Sequence, residues 1–296
     1  MRAGSPDEKA RMNGALFSAI SAECVDVSEM EALIIQGADV NAVDATGETP
    51  LYAACASGES GACRVLLSAG ADPLKKARGA LPLHAAIAAE SFDCVDVLVE
   101  VPVGDQAYAE KVRTMLKVEG RLGMLPLHLC ANLEGGLGIE FAERLLEAGA
   151  EVNAVSRGGS GRGTALLACV ARDHVDLMRV LFARGATPEI DADRGVGVMH
   201  EAVMRRSISS MQILASAGVS VECCGENGVT PLHRAALFGW EEGIAWLLEN
   251  GASASRPDKD GKDACAYAKF EAVKSALRAF EARQRLSAEM GSGFRP

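Results

Sequence analysis

Six apolar segments of the chain each end on glycine followed by alanine or valine: Gly37-Ala38, Gly70-Ala71, Gly149-Ala150, Gly185-Ala186, Gly218-Val219 and Gly251-Ala252. Three of the five intervals between these glycines are 33 residues. A second motif keeps step with the first, at Thr49 to Tyr52 (TPLY), Leu81 to His84 (LPLH), Leu125 to His128 (LPLH), Thr164 to Leu167 (TALL), Gly197 to His200 (GVMH) and Thr230 to His233 (TPLH). A fixed period of this length constrains the fold strongly. One unit cannot bury its own apolar faces, so neighbouring units must stack.

The motifs carry local physics. Threonine before proline supplies an N-cap hydroxyl ahead of a proline at the first helical position, where the missing N–H costs nothing. A second helix follows with Val and Leu at helical spacing, as in CRVLL (Cys63 to Leu67) and MRVLF (Met178 to Phe182). The closing glycine suits the left-handed position beyond a helix C-terminus. Leu81, Leu125 and Gly197 replace the capping threonine, which should weaken those helix starts by roughly 0.5 to 2 kcal/mol each.

In this pattern the chain resembles the ankyrin repeat family, over about residues 12 to 284. The resemblance implies an all-α repeat solenoid of paired antiparallel helices with projecting β-hairpin fingers. Full units are placed at about 44–75, 76–119, 120–155, 156–190, 191–222 and 223–256, with capping units at about 12–43 and 257–284. Residues 1–11 and 285–296 are read as tails.

Aromatic residues make up only 4% of a chain that is 49% hydrophobic, which suits thin, closely stacked helices. The net charge of −10 argues against nucleic acid or an anionic membrane as partner. With no long apolar run and no apolar leader, the expectation is a soluble cytoplasmic chain, with the nucleus as a further location. The nine cysteines form no CxxC pair and argue against a disulfide framework. Cys130 and Cys169 occupy a position filled elsewhere by Ala54, Ala86, Ala202 and Ala235, where helices pack closely. The adjacent Cys223 and Cys224 fall in a finger and are the pair expected to be exposed.

His84, His128, His200 and His233 share one repeat position. In ankyrin repeats this histidine ties the turn before the first helix to its neighbours, and one catalytic site would not be dealt one histidine per repeat. No catalytic grouping, metal-ligand spacing or cofactor motif stands out, so no enzyme activity, metal or cofactor is expected. The glycine-rich SRGGSGRGT (Ser156 to Thr164) lacks the GK[ST] ending of a phosphate loop and reads as a lengthened finger.

Departures from the period are where specificity resides. His84 and His128 are 44 residues apart, 11 more than the period, and the extra length lies at about 101–119. There Tyr108, Val112 and Met115 fall on one face of an expected amphipathic helix, read either as a partner contact or as a seal on the stack. The family's concave face, made of finger tips and first-helix positions, carries over to Arg121, Leu122, Met124, Leu133, Arg172, Arg194, Met204, Arg205, Leu237 and Phe238, with Trp240 just beyond. That strip would suit a protein segment bearing acidic and hydrophobic residues. The resemblance also marks Asn41 and Asn153 as finger asparagines of the kind that can be hydroxylated. The functional expectation is a non-enzymatic protein–protein interaction module acting as scaffold or adaptor. The alternative is a permanent structural subunit of a larger cytoskeletal or organellar assembly. Neither partner identity nor oligomeric state follows from the sequence.

Overall fold

A computed structural model describes residues 6–21, 25–158, 163–188 and 197–292. The chain divides into two compact units, residues 1–160 and 161–296. Arg194, among the expected contact residues, and the last four residues lie outside the described residues.

The first unit holds α1 (Pro6–Ile20), α2 (Val27–Ile35), α3 (Pro50–Ala56), α4 (Ser60–Ser68), α5 (Pro82–Ala88), α6 (Phe92–Val99), α7 (Gln106–Lys117), α8 (Pro126–Leu129) and α9 (Leu137–Glu147). The second holds α10 (Ala165–Arg172), α11 (Val175–Ala183), α12 (Val198–Arg205), α13 (Ile208–Ser216), α14 (Pro231–Phe238), α15 (Glu241–Glu249), α16 (Ala264–Tyr267) and α17 (Glu271–Ser292). The helices pair as the period requires. First helices stack on first helices, α3 on α5 and α10 on α12 on α14 on α16, while second helices stack in a parallel row, α4 on α6 and α11 on α13. The terminal helices α1 and α17 extend beyond the repeat register, into residues 6–11 and 285–292 that read as tails.

Stacking is close because the buried first-helix positions are small: Ala54, Ala86, Cys130, Cys169, Ala202 and Ala235 are all fully buried. Larger side chains fill the layer between the helix rows, among them Leu51, Leu66, Leu83, Leu98 and Phe141. Phe141 meets Phe92 edge-on at 5.6 Å.

The helix starts follow the capping chemistry. Thr49, Thr164 and Thr230 accept hydrogen bonds from the backbone N–H of Tyr52, Leu167 and His233, whereas Leu81, Leu125 and Gly197 give no side-chain cap. The fingers are held by Asx turns more than by strand pairing. Asp44 accepts from the N–H groups of Thr46 and Glu48, and Asp258 from those of Asp260 and Lys262. Ala77 and Ala80 form an antiparallel bridge across the Arg78-Gly79 turn.

The inserted segment forms α7, capped by Asp105. Val112, Met115 and Leu116 are buried, and the Tyr108 hydroxyl donates to the Leu98 carbonyl at 2.9 Å. Burial pushes the Tyr108 hydroxyl up to about 12. The face expected to offer Val112 and Met115 to a partner is therefore turned inward. Of its two readings, α7 matches the seal.

Candidate protein-binding surface

The motif histidines are buried structural groups. His233 Nδ1 accepts from the Thr230 N–H at 3.1 Å, so Nε2 carries the proton and donates to the Lys262 carbonyl at 3.0 Å. His200 Nε2 likewise donates to the Val229 carbonyl at 2.9 Å. Burial holds His200 below its ordinary pKa and lowers His84 to about 4. The carbonyls of Met124 and Val118 oppose that shift at His84 without reaching hydrogen-bond geometry. Among the described residues no group of histidine, cysteine and carboxylate side chains is arranged to hold a metal ion.

Within the first unit, the turn from Gly120 to Met124 is closed by the Gly120 N–H donating to the Met124 carbonyl at 2.9 Å. It exposes Arg121 and leaves Leu122 65% exposed, with Met124 half-buried. Gly158 packs on this turn so closely that a Cβ there would lie 2.1 Å from the Leu122 carbonyl oxygen. The glycine-rich stretch thus begins by bracing a neighbouring finger tip. Leu133 is a correction: it is only 7% exposed, because α8 is short and a 3-10 turn over Cys130–Asn132 swings it inward.

The second unit carries the more developed surface. Arg172 is exposed at the end of α10, Met204 and Phe238 are each 41% exposed, and Leu237 is half-buried. Arg205 is already occupied, its Nε 2.8 Å from Glu201 Oε1. Trp240 is a second correction, since only 6% of it is exposed. Its indole lies over Gly243, where a Cβ would meet the ring at 2.0 Å. The sequence position next to Phe238 therefore does not place the indole on the surface.

Three neighbours missed from the sequence complete this face. Arg234, one residue after the motif histidine, reaches 3.6 Å from Met204 Sδ with Nη1. Its Nε is buried without a hydrogen-bond partner, and among the described residues no carboxylate forms an ion pair with it. Arg234 and Phe238 are four residues apart on α14 and share a face. Arg206 adopts a left-handed conformation, φ 56°, and donates to the Phe238 carbonyl at 3.2 Å. Phe270, 57% exposed, covers Gly239, where a Cβ would lie 2.6 Å from the ring. The hint was present in the alignment, since Phe270 falls in the capping unit at the position of Leu237.

The finger asparagines differ. Asn41 donates from Nδ2 to the Gly70 carbonyl at 3.2 Å and accepts from the Asp72 N–H at 2.8 Å, so its amide ties two fingers together. Asn153 is exposed.

A family model for ankyrin repeats in three copies matches residues 16–107 and 165–258, and a single ankyrin repeat model matches residues 122–157. The chain is an ankyrin repeat protein. Human neurogenic locus notch homolog protein 1 is 34% identical over 165 residues, 54% of this chain and 6% of that protein. The E3 ubiquitin-protein ligase KEG of Arabidopsis thaliana is 29% identical over 260 residues, 84% of this chain and 15% of that protein. The chain thus spans 15% or less of the length of these two curated relatives. The crystal structure of the human ASB11 ankyrin repeat domain aligns over 94% of this chain and 98% of that one, with 22% identity and a TM-score of 0.47. Ankyrin repeats are in general protein–protein interaction modules, and their fold is typically non-catalytic. Among the described residues no helix is long and apolar enough to cross a membrane.

Proposed function

We propose that this ankyrin protein is a scaffold or adaptor whose second unit docks a protein segment on the face formed by Met204, Arg234, Phe238 and Phe270. The observation that carries the reading is Arg234, a half-buried guanidinium with an unpartnered Nε, set between exposed apolar side chains. Leaving such a group without a carboxylate is costly unless a ligand supplies one. A segment with a carboxylate for Arg234 and an apolar side chain for Met204 and Phe238 would meet both needs. Arginine and aromatic residues are also the types most often found at binding hot spots.

The experiment is selection of peptides from a random display library on the purified full chain. Measured affinities of the winners are then compared between wild type and an Arg234→Glu, Phe238→Ala variant of unchanged circular dichroism. Peptides rich in acidic and apolar residues that lose at least about tenfold in affinity, some 1.4 kcal/mol, support the reading. Winners that bind both proteins equally overturn it.

A further inference from the structure

Outside the docking face, the chemistry-bearing group left unexplained is the adjacent pair Cys223 and Cys224 in the finger before α14. Both are partly exposed. Arg256 from the following finger places Nη2 3.1 Å from Cys224 Sγ, and its Nη1 is fixed by Glu222 Oε2 at 2.6 Å. Glu222 Oε1 in turn accepts from the Ser253 N–H at 2.7 Å, so the guanidinium is held in place. Cys223 Sγ lies 3.8 Å from His200 Nδ1. Because His200 Nε2 must carry the proton it donates to the Val229 carbonyl, Nδ1 presents a lone pair to the Cys223 thiol.

We infer that Cys223 and Cys224 form a peroxide-sensitive dithiol site, with Cys224 as the thiol attacked first and Cys223 as the resolving thiol. The Arg256 guanidinium stands against the partly exposed Cys224 sulfur, where it can pair with the charge of the attacking thiolate, the reactive form of a cysteine. The Cys224 thiolate attacks one oxygen of a hydroperoxide, the O–O bond breaks, and hydroxide or alkoxide leaves, giving a sulfenic acid at Cys224. The Cys223 thiol then passes its proton toward His200 Nδ1 and attacks the sulfenic sulfur. The S–S bond forms, the S–O bond breaks, and the leaving hydroxide takes the proton back from His200 Nδ1 and departs as water. The two Cα atoms of consecutive residues are about 3.8 Å apart across a trans peptide, closer than the 4.4 to 6.8 Å usual for a disulfide. Such a strained ring is readily reopened by thiols, as suits a reversible modification.

The other described cysteines lack this setting. Cys55, Cys63, Cys94, Cys130 and Cys169 are fully buried. The Cys63 thiol is pushed well above its ordinary value chiefly by contact with Cys55, and Cys94 chiefly by contact with Cys63; burial pushes Cys130 up to about 12 and Cys223 up to about 11, so the guanidinium beside Cys224 is what sets the pair apart. Cys265 directs its thiol toward the Lys274 carbonyl.

The test uses the full chain, one equivalent of hydrogen peroxide and a sulfenic-acid trap such as dimedone, with each cysteine followed by peptide mass mapping. Cys224 should be modified first in wild type, passing to a product with Cys223 joined to it. Cys223→Ser should leave trappable sulfenic acid at Cys224, and Cys224→Ser should abolish both products. Arg256→Gln should slow the first step at least about fivefold, and Arg256→Lys, which keeps the charge, should recover most of the rate. Oxidation spread evenly over the nine cysteines, or a rate that Arg256→Gln leaves unchanged or raises, would overturn the inference.

Discussion

His233 and Lys262 are joined across a repeat boundary, the imidazole Nε2 donating to a carbonyl 3.0 Å away and 29 residues further along the chain. The same ring accepts the Thr230 N–H at 3.1 Å and packs edge-on against Tyr267 with ring centres 4.9 Å apart. One fully buried side chain thus caps α14 and fixes the finger that leads into α16. Replacing it with alanine strands a buried carbonyl and an N–H and leaves a void. His233→Ala should cost about 3 kcal/mol, read from urea melts of the full chain. A loss under about 1 kcal/mol would remove the imidazole from its bridging role.

Burial makes His84 and His200 a source of acid sensitivity. His84 in the folded chain titrates at about 4, below its ordinary 6.5, and His200 is shifted in the same direction. With the folded pKa lower, the unfolded chain takes up the proton first as the pH drops. Stability is therefore whole above about pH 6.5 and is lost as the pH falls toward 4. For His84 the loss approaches about 3 kcal/mol. Comparing melts at pH 7 and pH 4.5, a His84→Gln variant should lose about 2 kcal/mol less than wild type. Parallel losses in the two proteins would show that this ring is not responsible.

The helix-ending turns separate conformational cost from useful contact. Gly58 and Gly239 hold the left-handed position after their first helices, but Glu90, Asp173 and Arg206 hold it without being glycine. Glu90 is exposed with φ 56°, so Glu90→Gly should relieve the left-handed backbone and stabilise the chain by roughly 1 kcal/mol. Asp173 is different. Its carboxylate accepts from the hydroxyls of both Ser207 and Ser210 in the next repeat, the latter at 2.7 Å. Asp173→Gly should therefore destabilise by about 1 to 2 kcal/mol despite the relieved backbone. Thermal melts with the two variants side by side would distinguish these signs, and stabilisation by both would show that the Asp173 contacts add nothing.

The periodic features were the legible ones, because each repeat restates them. The threonine caps, the small residue five positions on and the buried histidine follow from backbone geometry within one unit, and Thr230, Ala235 and His233 stand where the alignment puts them. The surface was less legible, since exposure depends on what a neighbouring unit does. Leu133 is turned inward by a short helix and Trp240 is drawn onto Gly243, neither of which the register encodes. Arg234 escaped notice because its consequence is an absent partner, which no single position in the sequence can express.

Asn41 links the first two fingers through three contacts: Nδ2 donates to the Gly70 carbonyl, Oδ1 accepts from the Asp72 N–H, and its backbone carbonyl accepts from Lys75 Nζ at 2.6 Å. An alanine there keeps the backbone contact and removes the two made by the amide. Asn41→Ala should cost about 1 to 2 kcal/mol and raise hydrogen exchange at the Asp72 amide. An unchanged melt with unchanged exchange would mean that water replaces the amide at no cost.

The inserted helix α7 gives the sharpest contrast between packing and recognition. Met115 is fully buried, so truncation leaves a cavity as well as lost transfer energy, and Met115→Ala should cost about 2 to 5 kcal/mol. On the opposite face Arg113 pairs with Glu110 at 3.0 Å, both side chains more than 60% exposed, and Arg113→Ala should change stability by no more than about 0.5 kcal/mol. If α7 acts as a seal, peptides selected on the second unit should bind the Arg113→Ala chain with wild-type affinity. A substantial loss there would return the outer face of α7 to the list of partner contacts, because no packing argument reaches a side chain that exposed.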